Sequence, residues 1–149
     1  MKTILTEITI AAPIGTVWHT LTDFAAYPDW NPFIRRITGL AQPHRRIEIH
    51  LALSKQRTVV IRPVVTVAEP PTDFAWLGHL GIPGLFDGRH FFSLRATAIE
   101  HTLLIHGEHF SGILPNALGR RFGARVRQGF IAMNSALKDR VERGSGPAL

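Results

Sequence analysis

Hydrophobic positions in this chain repeat first every second residue, then every third or fourth, then every second again, and finally every third or fourth. In residues 4–10, Ile4, Ile8 and Ile10 share a face with Thr6, while Leu5, Glu7 and Thr9 occupy the other. That period of two predicts a strand. Ile14, Val17, Trp18 and Leu21 then stand three and four apart, an apolar helical stripe that Pro13 is suited to open. A second helical turn is predicted over residues 24–27, ended by Pro28, because proline disfavours helical geometry in the residue before it. Pro28-Asp29-Trp30-Asn31-Pro32 follows as a rigid loop carrying a large aromatic.

From Phe33 to about His109 the period returns to two. The pattern predicts six strands over residues 33–40, 45–54, 57–68, 72–79, 85–97 and 101–111. Turn chemistry separates them at Gln42-Pro43, Lys55-Gln56, Pro70-Pro71 and Gly81-Ile82-Pro83-Gly84. Strands joined this closely make an antiparallel meander. The last element is long: Asn116 offers an N-cap, and Leu118, Phe122, Val126, Phe130, Met133, Leu137 and Val141 recur at spacings of three and four. They form the apolar face of one amphipathic helix, and the tail from Gly144 onward is expected to fray.

The predicted class is therefore α+β: a seven-stranded curved antiparallel sheet wrapped around a long C-terminal helix, with two short helices after the first strand. The domain spans residues 1–143, with a tail at 144–149. One helix of roughly 10–12 Å diameter cannot fill a sheet of seven twisted strands. Space is left between sheet and helix, and a space lined by apolar and aromatic side chains is a ligand pocket in the making.

Composition narrows the possibilities. A chain of 149 residues with 45% hydrophobic and 19% charged residues is long enough for one domain with a full core. The absence of cysteine excludes disulfides, thiolate nucleophiles and cysteine metal sites, and it fits a cytoplasmic location. Glu7 falls too early for a signal peptide, and no uncharged apolar run approaches the roughly 20 residues of a membrane span. The net charge of +6 arises from 17 Lys+Arg against 11 Asp+Glu. The arginines are dispersed in pairs such as Arg35-Arg36, Arg45-Arg46 and Arg120-Arg121. That describes a positive surface rather than a nucleic-acid footprint. No dinucleotide fingerprint, phosphate loop, nucleophile elbow or His-Glu-x-x-His motif is present, so no cofactor is expected.

Several local signatures converge on one family. Ala12-Pro13-Ile14-x-x-Val17-Trp18 leads into Leu21-Thr22-Asp23-Phe24-x-x-Tyr27-Pro28-x-Trp30-Asn31-Pro32-Phe33. Pro83-Gly84-Leu85-Phe86-Asp87-Gly88 and Glu108-x-Phe110-x-Gly112 follow. Over residues 3–143 the chain resembles the START/SRPBCC superfamily, the birch-pollen-allergen fold, and within it the bacterial polyketide cyclase/dehydrase-like branch. The resemblance implies a helix-grip fold. It does not choose among lipid transfer, hormone binding and aromatase/cyclase chemistry, all of which that fold hosts. One departure stands at His44-Arg45, ahead of the third strand, where many relatives have glycine.

Alternation and the resemblance together nominate site residues. Phe86, Gly88, His90, Phe92 and Leu94 share one strand face; Thr102, Leu104, His106, Glu108 and Phe110 share another. A three-residue turn at 98–100 places Thr97 opposite His101, His90 opposite Glu108 and Phe92 opposite His106. His90, His106 and Glu108 can thus meet on the concave wall. Three roles stay open. The trio can be a self-satisfied buried hydrogen-bond group, a polar end that orients a ligand hydroxyl or carbonyl, or a proton-transfer set. A metal site is not expected. The candidate pocket residues are Trp30, Trp76, Phe86, His90, Phe92, His106, Glu108, Phe110, Phe122, Val126 and Phe130. Trp30 is read either as a gate or as a plug for the short helices, and the loop at 81–84 as a candidate lid.

The expected function is binding of a small hydrophobic molecule, lipid, aromatic or polyketide-like, by a monomer or homodimer. No nucleic-acid partner and no membrane insertion are expected. The alternative is a cyclase/dehydratase that moves a proton through His90, His106 or Glu108.

Overall fold

The computed structural model describes residues 2–79, 81–113 and 119–144. The chain runs β1 (Lys2–Ile10), α1 (Ile14–Thr22), a 3₁₀ turn (Phe24–Ala26), α2 (Tyr27–Trp30) and β2 (Ile34–Thr38). It continues through β3 (Glu48–Ser54), β4 (Arg57–Ile61), β5 (Val64–Glu69), β6 (Asp73–His79), β7 (Asp87–Ala98) and β8 (His101–Ser111) to α3 (Gly119–Gly144). The expected Asn116 cap, Leu118 and the tail beyond Gly144 lie outside the described residues. Among the described residues no helix is long and apolar enough to cross a membrane.

The α+β class and the long C-terminal helix on an antiparallel sheet are as expected; the single seven-stranded sheet is not. Among the described residues, eight strands form a five-stranded sheet, β1-β8-β7-β6-β5, and a three-stranded sheet, β2-β3-β4. The break falls inside the stretch read as one strand over 57–68. Pro63 has no N–H to donate and interrupts the ladder. The pairing nevertheless keeps one register across it: Ile49 pairs with Ile61, the Ile47 amide donates to the Pro63 carbonyl, and Arg46 bridges Val64. Past that corner β5 pairs with β6 instead, so the chain turns from one sheet into the other and closes the wall around α3. His44, at the start of the corner, has a φ of +66°, in the left-handed region that favours glycine. The backbone bond from His44 N to Val65 O at 2.9 Å holds the conformation.

Helix α3 lies along β1. Arg127 donates to the Leu5 carbonyl, Lys138 donates to that of Thr9, and the Ala11 amide donates to Glu142. The helix buries Val126, Phe130, Met133, Leu137 and Val141 against β1, β8 and the short helices. Tyr27 is fully buried and donates its hydroxyl to the Leu21 carbonyl at 2.5 Å, tying α2 to α1; burial pushes its phenol pKa up. Asn134 is buried in the same helical face, the one polar side chain there.

Candidate functional site

Two glycines create the cavity. Gly78 and Gly88 pair directly across β6 and β7, which leaves a strip of wall without side chains. Beside it lies a cavity of about 90 Å³. Leu51, Leu53, Val59 and Ile61 from the smaller sheet form one side. Trp76, His79, His90, Glu108 and Phe110 from the larger sheet form the other, and Phe33, Phe86, Phe122 and Val126 complete it. The surface beside this cavity is basic. A depression of about 250 Å³ shares Leu53, Phe122 and Val126 with it and is bordered by Arg57, Arg121 and Arg125.

Of the expected pocket residues, Trp76, Phe86, His90, Glu108, Phe110, Phe122 and Val126 line this space. Phe92, His106 and Phe130 do not. They are fully buried one layer behind, where His106 stacks on Phe130 at 4.1 Å and lies tilted against Phe92 at 4.4 Å between ring centroids. Trp30 is also elsewhere. It packs edge-on against Tyr27 at 5.0 Å and borders a separate depression with Asp29 and Asp139. The loop at 81–84 is tied down at its described residues. The Asp87 carboxylate accepts from the Gly84 amide, and the Ile113 amide donates to the Leu85 carbonyl at 3.0 Å.

The expected register holds where it matters: His90 pairs with Glu108 and Phe92 with His106. The turn itself differs. Ala98, not Thr97, pairs with His101, and an irregularity between Ala96 and Ala98 restores the register.

These pairings assemble a chain of polar groups running from the cavity into the core. Glu108 Oε2 is 3.4 Å from His90 Nδ1. His90 Nε2 is 2.8 Å from His106 Nε2, and His106 Nδ1 is 2.7 Å from Asn134 Oδ1. Asn134 donates to Thr6 Oγ1 at 2.9 Å, and Thr6 donates to the His106 carbonyl at 2.9 Å. His90 stacks flat on Trp76 at 4.4 Å. His90 and Glu108 both line the cavity, but the His90 side chain is 4% exposed, whereas that of Glu108 keeps 18%. Burial pushes His90 down to about 3 and Glu108 up to about 8. His106 is held well below the usual imidazole range by burial and by His90, an effect that Asn134 partly opposes. Burial thus favours the neutral form of all three groups. At the rim His79 bonds Asp87 at 2.6 Å, which holds the Asp87 carboxyl below its ordinary value. Among the described residues no group of three or more His, Asp or Glu side chains is arranged to hold a metal ion.

Sequence reasoning missed Asn134 and Thr6, and also the smaller sheet's share of the wall. Thr6 was visible as the polar member of the isoleucine face of β1. Asn134 follows Phe130 by four and precedes Leu137 by three, so it falls inside the apolar stripe. A polar residue at that spacing is the signal that points to a buried partner.

Residues 1–142 match the family described as polyketide cyclase/dehydrase and lipid transport. No match is found among curated protein sequences. Among solved structures, the Zhui aromatase/cyclase of Streptomyces sp. R1128 is similar with a TM-score of 0.80 at 17% identity, over 97% of this chain and 96% of that one. A START superfamily protein of Mycobacterium smegmatis has a TM-score of 0.77 at 21% identity, over 95% and 97%. The di-domain aromatase/cyclase BexL of the BE-7585A biosynthetic pathway has a TM-score of 0.77 at 15% identity, over 99% of this chain and 48% of that one. At these identities the likeness establishes the fold.

Proposed function

The chain belongs to the polyketide cyclase/dehydrase and lipid transport family, and on that premise we propose that it binds a small hydrophobic molecule in the cavity between its sheets and α3. The observation that carries this reading is an apolar, aromatic-walled cavity with few polar groups, His79 and Glu108 backed by His90. Apolar walls supply affinity, and a few placed polar groups supply orientation. The cavity is smaller than the several hundred Å³ of typical ligand pockets. It suits a ligand end of about one ring, with longer ligands extending past Leu53, Phe122 and Val126 into the adjoining depression.

Thermal-shift titration against fatty acids, sterols and aromatic polyketides tests the proposal. The expected result is stabilisation by at least one class, lost when Val126→Phe fills the cavity. Absence of any shift across the panel contradicts it.

A second reading is cyclase/dehydratase chemistry, supported by the aromatase/cyclases among the structural neighbours and by a cavity-facing carboxyl with a pKa pushed to about 8. A proton donor or acceptor poised near neutrality is what such chemistry requires. Glu108→Gln distinguishes the two: an enzyme loses turnover with its affinity kept, whereas a carrier has no turnover to lose.

A further inference from the structure

The hydrogen bonds behind the cavity admit one proton order that satisfies every contact without burying a charge. Thr6 Oγ1 lies 2.9 Å from the His106 carbonyl oxygen, which can only accept, so the Thr6 hydroxyl donates there. With its own proton committed, Thr6 Oγ1 accepts from Asn134 Nδ2, and this fixes the Asn134 amide with Oδ1 toward His106 Nδ1. Oδ1 can only accept, so His106 carries a proton on Nδ1. A neutral His106 then offers a lone pair at Nε2, and His90 must hold its own proton on the facing Nε2, 2.8 Å away. His90 Nδ1 is left bare toward Glu108 Oε2. A protonated Glu108 donates into it; the alternative, the same proton moved onto Nδ1 to give an imidazolium facing a carboxylate, buries two charges and sets them 3.4 Å apart, longer than the roughly 2.7–2.9 Å of a charge-assisted bond.

The opposite order needs His106 to carry protons on both nitrogens. That would place an imidazolium in the core between Phe92 and Phe130, with Glu108 a full imidazole ring away. Burial without a directly paired counter-charge opposes it, and the directions in which burial pushes both histidines and Glu108 agree.

We infer that Glu108 is a neutral acid whose proton is committed inward to His90, so that its Oε1 presents an acceptor to the cavity and selects an apolar ligand bearing an uncharged hydroxyl, of the phenol or alcohol class. This rests on the binding function proposed above and specifies its ligand. Gly88 makes the presentation possible: a Cβ there would lie 2.4 Å from Glu108 Oε1, so only glycine leaves that oxygen its place on the cavity wall. A ligand with a carbonyl but no donor would meet acceptor with acceptor and leave both unpaired.

The test is calorimetric titration of the full chain at pH 6.5 with 4-ethylphenol and with 4-ethylbenzaldehyde, which carry a donor and an acceptor on the same ring. The phenol is expected to bind at least about tenfold more tightly. Glu108→Gln, whose amide can donate to His90 and keep a carbonyl oxygen toward the cavity, is expected to keep that preference; Glu108→Leu, checked for folding by circular dichroism, is expected to lose it. Equal or tighter binding of the aldehyde, or loss of the preference in Glu108→Gln, would overturn the proton order and leave the binding function standing. No binding of either probe by a protein that another class of the panel stabilises would overturn the ligand class alone; with no shift across the panel it would overturn both.

Discussion

Glu108 and the two histidines behind it push stability in opposite directions as pH changes. His90, at about 3 in the fold against 6.5 in the unfolded chain, and His106, shifted the same way, take up protons more readily when unfolded. Their contribution is complete above pH 6.5 and is lost as pH falls below it. Glu108, at about 8 in the fold against 4.5 unfolded, holds its proton in the native state. Its contribution is complete below pH 4.5 and is lost as pH rises to 8. Within this cluster only Glu108 titrates between pH 6.5 and 8. At the rim the depressed Asp87 carboxyl matters only below the ordinary carboxylate range. Stability is therefore expected to peak near pH 6.5 and to fall by up to about 2 kcal/mol toward pH 8. Urea denaturation at stepped pH should show that fall, and Glu108→Gln should flatten it; an identical slope in both proteins would mean that Glu108 is already ionised at pH 6.5. Asn134→Ala leaves the His106 N–H without its acceptor and should cost about 2–3 kcal/mol by the same assay. His90, His106 and Glu108 were legible in the sequence because strand alternation and a short turn fix which residues share a face. Asn134 was harder to pair with them, since helical spacing gives a stripe but not which strand residue it meets.

Among the elements, α3 and the Phe33 that follows the proline-bracketed loop fit each other through a missing side chain. A Cβ at Gly129 would come within 2.4 Å of the Phe33 ring, and that ring lines the cavity. Alanine normally favours a helix over glycine by roughly 1 kcal/mol, yet here Gly129→Ala should destabilise by about 1–3 kcal/mol, because the ring must shift and lose its edge-on packing against Phe130. Differential scanning calorimetry decides it: a raised Tm would show that Phe33 moves freely. Element order, the period-two stretch and the long helix were readable from hydrophobic spacing alone. The division into two sheets was not, because Val59, Val60, Ile61, Val64 and Val65 read as one apolar run. Pro63 within it marks a lost hydrogen bond without saying that the chain will change partners there. The irregularity near Thr97 escaped for a similar reason: a bulge leaves the alternation on either side intact.

For the whole molecule, the curvature that the strand count implied does leave a space beside the helix, but its extent depends on side chains that no periodicity reports. Three aromatic residues of one wall, Phe86, Phe110 and Phe122, pack against one another within 5.9 Å and narrow the cavity from the side of α3. Replacing Phe122 by alanine should enlarge the space, lower the Tm by several degrees and shift binding toward larger apolar probes, as measured by competition among alkylphenols of increasing chain length. An unchanged size preference would place the ligand away from α3. The most direct test of the binding function is native mass spectrometry of the protein purified from its own host, run beside the Val126→Phe protein. A small apolar molecule retained by the wild type and missing from the filled variant is the predicted result. Two proteins of bare chain mass, the wild type showing no thermal shift with any member of the lipid and aromatic panel, would contradict it.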